Sequence, residues 1–182
     1  VALARVYNVD TGSVTGITIG STTPGSEFGL LWGNIASTSE FNISAIRVGT
    51  YGGASASFPS NGTVTFRLRR VSSTFSAGLQ GGTATAYAVS QSTTAALSAW
   101  YYSTWTNATG TFANQGATAP VVWEQTIPCT AGANWGEWFT PGFEINVGPG
   151  VINGGTIALT YTYGAAGTSS AVNLMAGLVI SE

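Results

Sequence analysis

Apolar and polar residues alternate in short runs along this chain, and helical spacing is nearly absent. Thr63-Val64-Thr65-Phe66-Arg67-Leu68-Arg69 alternates cleanly behind Gly62, and Thr156-Ile157-Ala158-Leu159-Thr160-Tyr161-Thr162-Tyr163 does so behind the turn signal Asn153-Gly154-Gly155. Val172, Leu174, Ala176, Leu178 and Ile180 keep one register near the end of the chain. Successive side chains of a strand point to opposite faces, so a period of two marks a strand with one buried face. Read this way, strands fall near 2–9, 14–20, 27–35, 40–49, 62–72, 83–90, 97–105, 119–128, 142–148, 155–163 and 172–181.

The breaks between them are equally legible. Residues 51–57 and 78–85 are rich in small residues and read as loops, while Pro141-Gly142 and Gly148-Pro149-Gly150 read as turns. Glycine supplies positive φ in such turns and proline fixes its own. The segment 40–49 is apolar on both sides for part of its length, as a central strand between two layers would be. Short strands at this spacing predict an all-β fold, an antiparallel two-sheet sandwich of jelly-roll-like kind. No linker or internal repeat divides residues 1–182, so a single domain is expected. Residues 1–10 read either as an extended N-terminal arm that adds to a neighbour's sheet or as an edge strand of their own domain.

Composition changes the picture at the surface. Only 7% of the residues are charged, against roughly 25% in ordinary soluble domains. There is no lysine or histidine, and Asp10 is the one aspartate; 19 Ser and 26 Thr fill the gap. Charge keeps freely diffusing proteins apart, whereas a hydroxyl surface is hydrated but repels its neighbours weakly. Such a surface suits a subunit packed beside copies of itself. A net charge of −2 and only five basic groups argue against a nucleic-acid partner. Arg67 and Arg69 share one strand face and Arg70 takes the other, which reads as an anion patch, a solvated face or a salt-bridge site. No stretch is long and apolar enough for a helical membrane span, and no signal peptide is evident at residues 1–7. A leader already removed remains an open alternative, because the first residue is not methionine. Cys129 stands alone, so an intramolecular disulfide is excluded and a small buried thiol is expected.

The same composition removes most chemistry. Without histidine or lysine there is no Ser-His-Asp triad, no histidine-ligated metal and no Schiff base. No glycine-rich loop opens a helix after a strand to cradle phosphate. No catalytic residue, metal or cofactor is therefore expected. One enzymatic route stays open, since glycoside hydrolysis needs only two carboxyl groups about 5–9 Å apart in a cleft. Its candidates are Glu124, Glu137 and Glu144. The composition is similar to that of the jelly-roll xylanases, but their tyrosine-rich strands and arginine-bearing thumb are missing. Triplets of the Asn-X-Ser/Thr type at Asn42, Asn61 and Asn107 are no more than ten asparagines give by chance.

Aromatic residues gather twice, as Trp100, Tyr101, Tyr102 and Trp105 and as Trp135, Trp138 and Phe139. In the first cluster both strand faces carry large rings, so one face fills the core and the other meets a partner or a covering loop. The candidate interface comprises these seven residues with Val1, Leu3, Val6 and Tyr7 of the N-terminal segment.

Several segments resemble a group of small structural proteins of tailed-bacteriophage heads. They are Phe41-Asn42-Ile43-Ser44-Ala45-Ile46-Arg47-Val48-Gly49, Leu68-Arg69-Arg70 with the Gly-Thr-rich stretch to Thr85, Trp138-Phe139-Thr140-Pro141-Gly142-Phe143-Glu144-Ile145, and the closing Ile180-Ser181-Glu182. The resemblance implies a β-sandwich cement or decoration protein on the capsid exterior of a virion. Its partners would be itself, as a homotrimer, and a major capsid protein. The alternatives are a subunit of another extracellular assembly (tail tube, fibre or surface layer), a carbohydrate-binding module and, last, a jelly-roll glycosidase.

Overall fold

The computed structural model of the chain describes residues 5–11, 14–19, 27–34, 39–51, 62–71, 82–84, 86–89, 96–102, 120–129, 135–148, 156–163 and 170–182. These form thirteen strands and no helix: β1 (Val6–Asp10), β2 (Val14–Ile19), β3 (Glu27–Asn34), β4 (Phe41–Tyr51), β5 (Gly62–Val71), β6 (Gly82–Ala84), β7 (Ala86–Ala88), β8 (Ala99–Tyr102), β9 (Val121–Cys129), β10 (Trp135–Phe139), β11 (Ile145–Val147), β12 (Thr156–Tyr163) and β13 (Ser170–Ser181). All pairings are antiparallel.

One rule organises them. β1 pairs with β13, β3 with β12, β4 with β10 and β5 with β9, so the first half of the chain folds back on the second as one long hairpin. That hairpin is rolled, which brings β13 between β1 and β4 and β12 between β3 and β5. The resulting sheets carry the orders β10-β4-β13-β1-β7 and β6-β8-β3-β12-β5-β9. Strands β1, β3, β4, β5, β9, β10, β12 and β13 thus make a two-sheet jelly roll. The expected all-β antiparallel sandwich is the fold of the protein. The stretch between β5 and β9 is the tip of the hairpin, and from it β7 covers the β1 edge while β8 and β6 extend the β3 edge.

The inner faces of the two sheets make the core. Val64, Phe66 and Leu68 of β5, Ile157, Leu159 and Tyr161 of β12, and Leu174, Ala176, Leu178 and Ile180 of β13 are all buried. These are the apolar sets of the alternating runs, and burying each contributes roughly 1.5–3 kcal/mol. Trp100 of β8 is the largest of the fully buried side chains. Its ring lies against Phe41 at 5.4 Å between centroids and over Gly33, where a Cβ would come within 2.6 Å of the indole. Gly33 is therefore the site over which Trp100 lies flat.

The structure corrects several sequence expectations. Val6–Asp10 is no arm and no edge: it lies between β13 and β7, with Tyr7 and Val9 buried against the opposite sheet. Tyr7 and Trp100 leave the candidate interface, because both rings are sealed inside the chain's own core. The predicted strand 83–90 is two strands in different sheets, β6 and β7. Strand β10 was not anticipated, since Trp135-Gly136-Glu137-Trp138-Phe139 does not alternate; its five residues are held by register with β4.

Candidate functional site

The chemistry-bearing side chains sit on the outer faces of the sheets. On the six-stranded sheet, Glu27, Thr160, Arg67, Arg69 and Glu124 form a ladder across β3, β12, β5 and β9. Arg69 grips Glu27 with two parallel donors, Nε to Oε1 at 2.6 Å and Nη2 to Oε2 at 2.8 Å. The Thr160 hydroxyl donates to the same carboxylate, and Arg67 Nη1 stands 3.7 Å from it. Arg67 Nε also donates to Glu124 at 2.5 Å, and its Nη1 to the Thr162 hydroxyl at 2.9 Å. Arg67 and Arg69 do share a face, as their alternation requires, and both are consumed by carboxylates of the same chain.

Arg70 turns the other way. Its guanidinium reaches from β5 to the opposite sheet and donates to the Asn146 carbonyl of β11 at 2.5 Å, while Asn146 donates its amide to Asn42 at 3.1 Å. Lost hydration pulls the Arg70 pKa below its usual value. This side chain braces the two sheets at one end of the sandwich.

On the seven-stranded sheet the outer face carries Trp138, Arg47 and Asp10 in a row. Arg47 lies over the Trp138 ring at 5.8 Å and donates to Asp10 at 3.4 Å. Between Arg47 and Asp10 runs β13, and there Gly177 lets the pair meet: a Cβ would lie 3.2 Å from the Val9 carbonyl and 3.5 Å from the Asp10 carboxylate. At the foot of the molecule the Glu182 carboxylate accepts from Leu97 N, Ser98 N and the Ser98 hydroxyl at 2.7, 2.9 and 2.6 Å. Ser98 in turn accepts from the indole N–H of Trp100 at 2.9 Å, so the buried ring is satisfied through this latch.

The three glutamates considered for hydrolysis lie on three different elements. Glu124 stands on the outer face of the six-stranded sheet, paired with Arg67; Glu137 is exposed on the edge strand β10; Glu144 is exposed in the turn before β11. Among the described residues no three of His, Cys, Asp and Glu come together as a metal site. The structure has no helix long and apolar enough to cross a membrane.

Of the remaining interface candidates, Trp138 is the most open, at 44% exposure. Phe139 packs on the core through Trp123, 5.5 Å away across the seam between β10 and β9. Tyr101 stacks on Trp32 at 6.1 Å on the outer face, and Val6 is half-buried. Tyr102 and Trp135 lie in β8 and β10, but their side chains are outside the described set; so is the thiol of Cys129, at the end of β9. Val1, Leu3 and Trp105 lie outside the described residues.

Sequence reasoning missed other exposed apolar residues: Tyr87, Val89, Leu97, Val121 and Phe143. A signal existed for the first two. In the alternating run Ala86-Tyr87-Ala88-Val89, both large residues fall on one face, away from the core.

No protein-family model matches the chain, and no curated protein shows significant similarity to it.

Proposed function

We propose that this chain is a non-enzymatic structural subunit of a virion, a cement or decoration protein seated on the capsid exterior. Its partners are copies of itself, in a trimer, and the major capsid protein. The observation that carries the reading is how the ionic groups are spent. Arg67, Arg69, Glu27 and Glu124 neutralise one another, as do Arg47 and Asp10, while Arg70 and Glu182 serve as internal braces. A protein this poor in charge has used most of it to tie strands together, leaving a surface of hydroxyls and exposed rings for contact.

The jelly roll supports the same role, being a rigid scaffold used by capsid proteins among others, though the fold alone does not decide function. A hydrolase would need two carboxyl groups facing one sugar. Glu124 is already held by Arg67, on a different sheet from the strand carrying Glu137.

Antibody raised against the purified chain, applied to particles released by its source organism and imaged by electron cryomicroscopy, tests the reading. Regular labelling on the outside of heads supports it. Particles that lack the chain, or turnover of a polysaccharide abolished by Glu124→Gln or Glu137→Gln, overturns it.

A further inference from the structure

The six large apolar side chains exposed among the described residues are not scattered. Tyr87 and Val89 lie on the outer side of β7 and just beyond it, with Val89 N bonded to the Val6 carbonyl. Leu97 joins them at the same corner: its N–H is held by Glu182, which is the backbone partner of Arg5 beside Val6. The other three belong to the opposite flank. Trp138 is on β10, Phe143 follows in the turn before β11, and Val121 begins β9. Arg70 ties that corner together, since its N–H meets the Pro120 carbonyl and its guanidinium the Asn146 carbonyl.

Strands β7 and β10 are the two edges of one sheet, four strand spacings or roughly 19 Å apart. The face between them is mixed, carrying Asn8, Asp10, Asn42, Ser44 and Arg47 around Met175 and Val179 of β13. An isologous contact across that face would bury the Arg47–Asp10 pair and the asparagines beside it to join the rings at the rims. The charges also divide. Arg5, at the β7 flank, has no ion-pair partner among the described residues, and neither have Glu137 and Glu144 at the β10 flank. One flank is thus apolar with an uncommitted cation and the other apolar with uncommitted carboxylates.

We infer that copies of this chain associate head to tail, the β7 flank of one (Tyr87, Val89, Leu97, Arg5) seated on the β10 flank of the next (Trp138, Phe143, Val121, Glu137). Contacts between unlike patches of identical subunits close into rings or run on as fibres. The inference rests on the reading of the chain as an assembly subunit and specifies the surfaces by which it meets itself.

Light scattering coupled to size exclusion tests it on the full chain. The wild type gives a mass that is a multiple of three or more of the 18.5 kDa chain. Tyr87→Glu sets a carboxylate against Glu137 and Glu144, and Phe143→Arg sets a cation against Arg5; each alone reduces the assembly to monomer. Both positions are exposed, and an unchanged circular dichroism spectrum confirms that the variants fold. Val89→Glu and Trp138→Glu are the second pair should either fail to fold. The decisive arm is a mixture of two single variants, Tyr87→Glu and Trp138→Glu, whose altered flanks repel each other as like charges. Each variant retains one intact flank, so an equimolar mixture gives a dimer and nothing larger. A monomeric wild type, a mixture that stays monomeric, or variants that still assemble overturns the inference. Particle labelling decides the functional reading separately, whatever the mass in solution.

Discussion

Gly33 shows how one missing carbon sets the centre of the fold. The indole of Trp100 occupies the space where a Cβ would stand. Gly33→Ala forces the ring off its place between Phe41 and β3, at a cost of about 1–3 kcal/mol in urea denaturation. Gly142→Ala, where a Cβ meets nothing within 4 Å, changes the unfolding free energy by less than about 0.5 kcal/mol. The ionic ladder allows a second comparison between like residues. Glu27 is nearly buried and held by Arg69 through two bonds, whereas the Glu124 side chain is half exposed and held only by Arg67. Glu27→Gln costs about 3 kcal/mol, because it removes the carboxylate that Arg69 and Arg67 share in a place largely withdrawn from water. Glu124→Gln costs under about 1 kcal/mol. Equal losses would show that burial does not govern this network. Tyr161 supplies a pH dependence. Burial pushes its phenol above the usual value near 10. The folded chain then keeps a proton that the unfolded chain has already shed, so this contribution is whole below about pH 10 and is lost as the pH climbs towards the folded value. Urea midpoints of Tyr161→Phe decline less steeply than wild type between about pH 9.5 and about pH 11.5; parallel curves would refute the assignment.

Among the elements, the latch at Glu182 binds three strands of two sheets. Its carboxylate satisfies the donors that open β8, and Ser98 passes the connection on to Trp100. Glu182→Gln turns one of the two accepting oxygens into a donor, set against the N–H of either Leu97 or Ser98, and lowers stability by about 1–2 kcal/mol in urea denaturation. Hydrogen exchange at Leu97 and Ser98 should accelerate with it. The strands β5, β12 and β13 were legible in the sequence because each buries one face against the opposite sheet and leaves the other outward, the condition under which a period of two appears. β10 was not, because its residues do not alternate: Phe139 packs against the core, whereas Glu137, on the same side of the strand, is exposed at the rim. The division of 83–90 was equally hidden: Ala84 and Ala86 enter different sheets, and small residues carry no facing signal. Of the site, the shared face of Arg67 and Arg69 was readable, but not Glu27, some forty positions earlier, whose place beside them is fixed by β3 reaching β5 through β12. Tyr7 and Trp100 misled because an aromatic in an alternating run gives no sign of which face is the inner one.

For the molecule as a whole, the first strand is integral. Deleting residues 1–10 removes Tyr7 and Val9 from the core and strips β13 of a partner. The truncated chain should lose its cooperative unfolding transition, whereas loss of a detachable arm would leave that transition in place. Pairings between the two extremes of the chain also make folding slow, on the scale of milliseconds to seconds, because distant segments must meet before either is stabilised. Stopped-flow refolding measures this directly.

If subunits do join flank to flank, tension along such an array crosses each domain from rung to rung of its seven-stranded sheet. The keel is the seam between β13 and β4, with nine residue pairs in register; the junction of β7 with β1 has three. Hydrogen bonds loaded side by side yield where they are fewest, so β7 is the fuse. Under strain it parts first and leaves the rolled body of eight strands closed behind it.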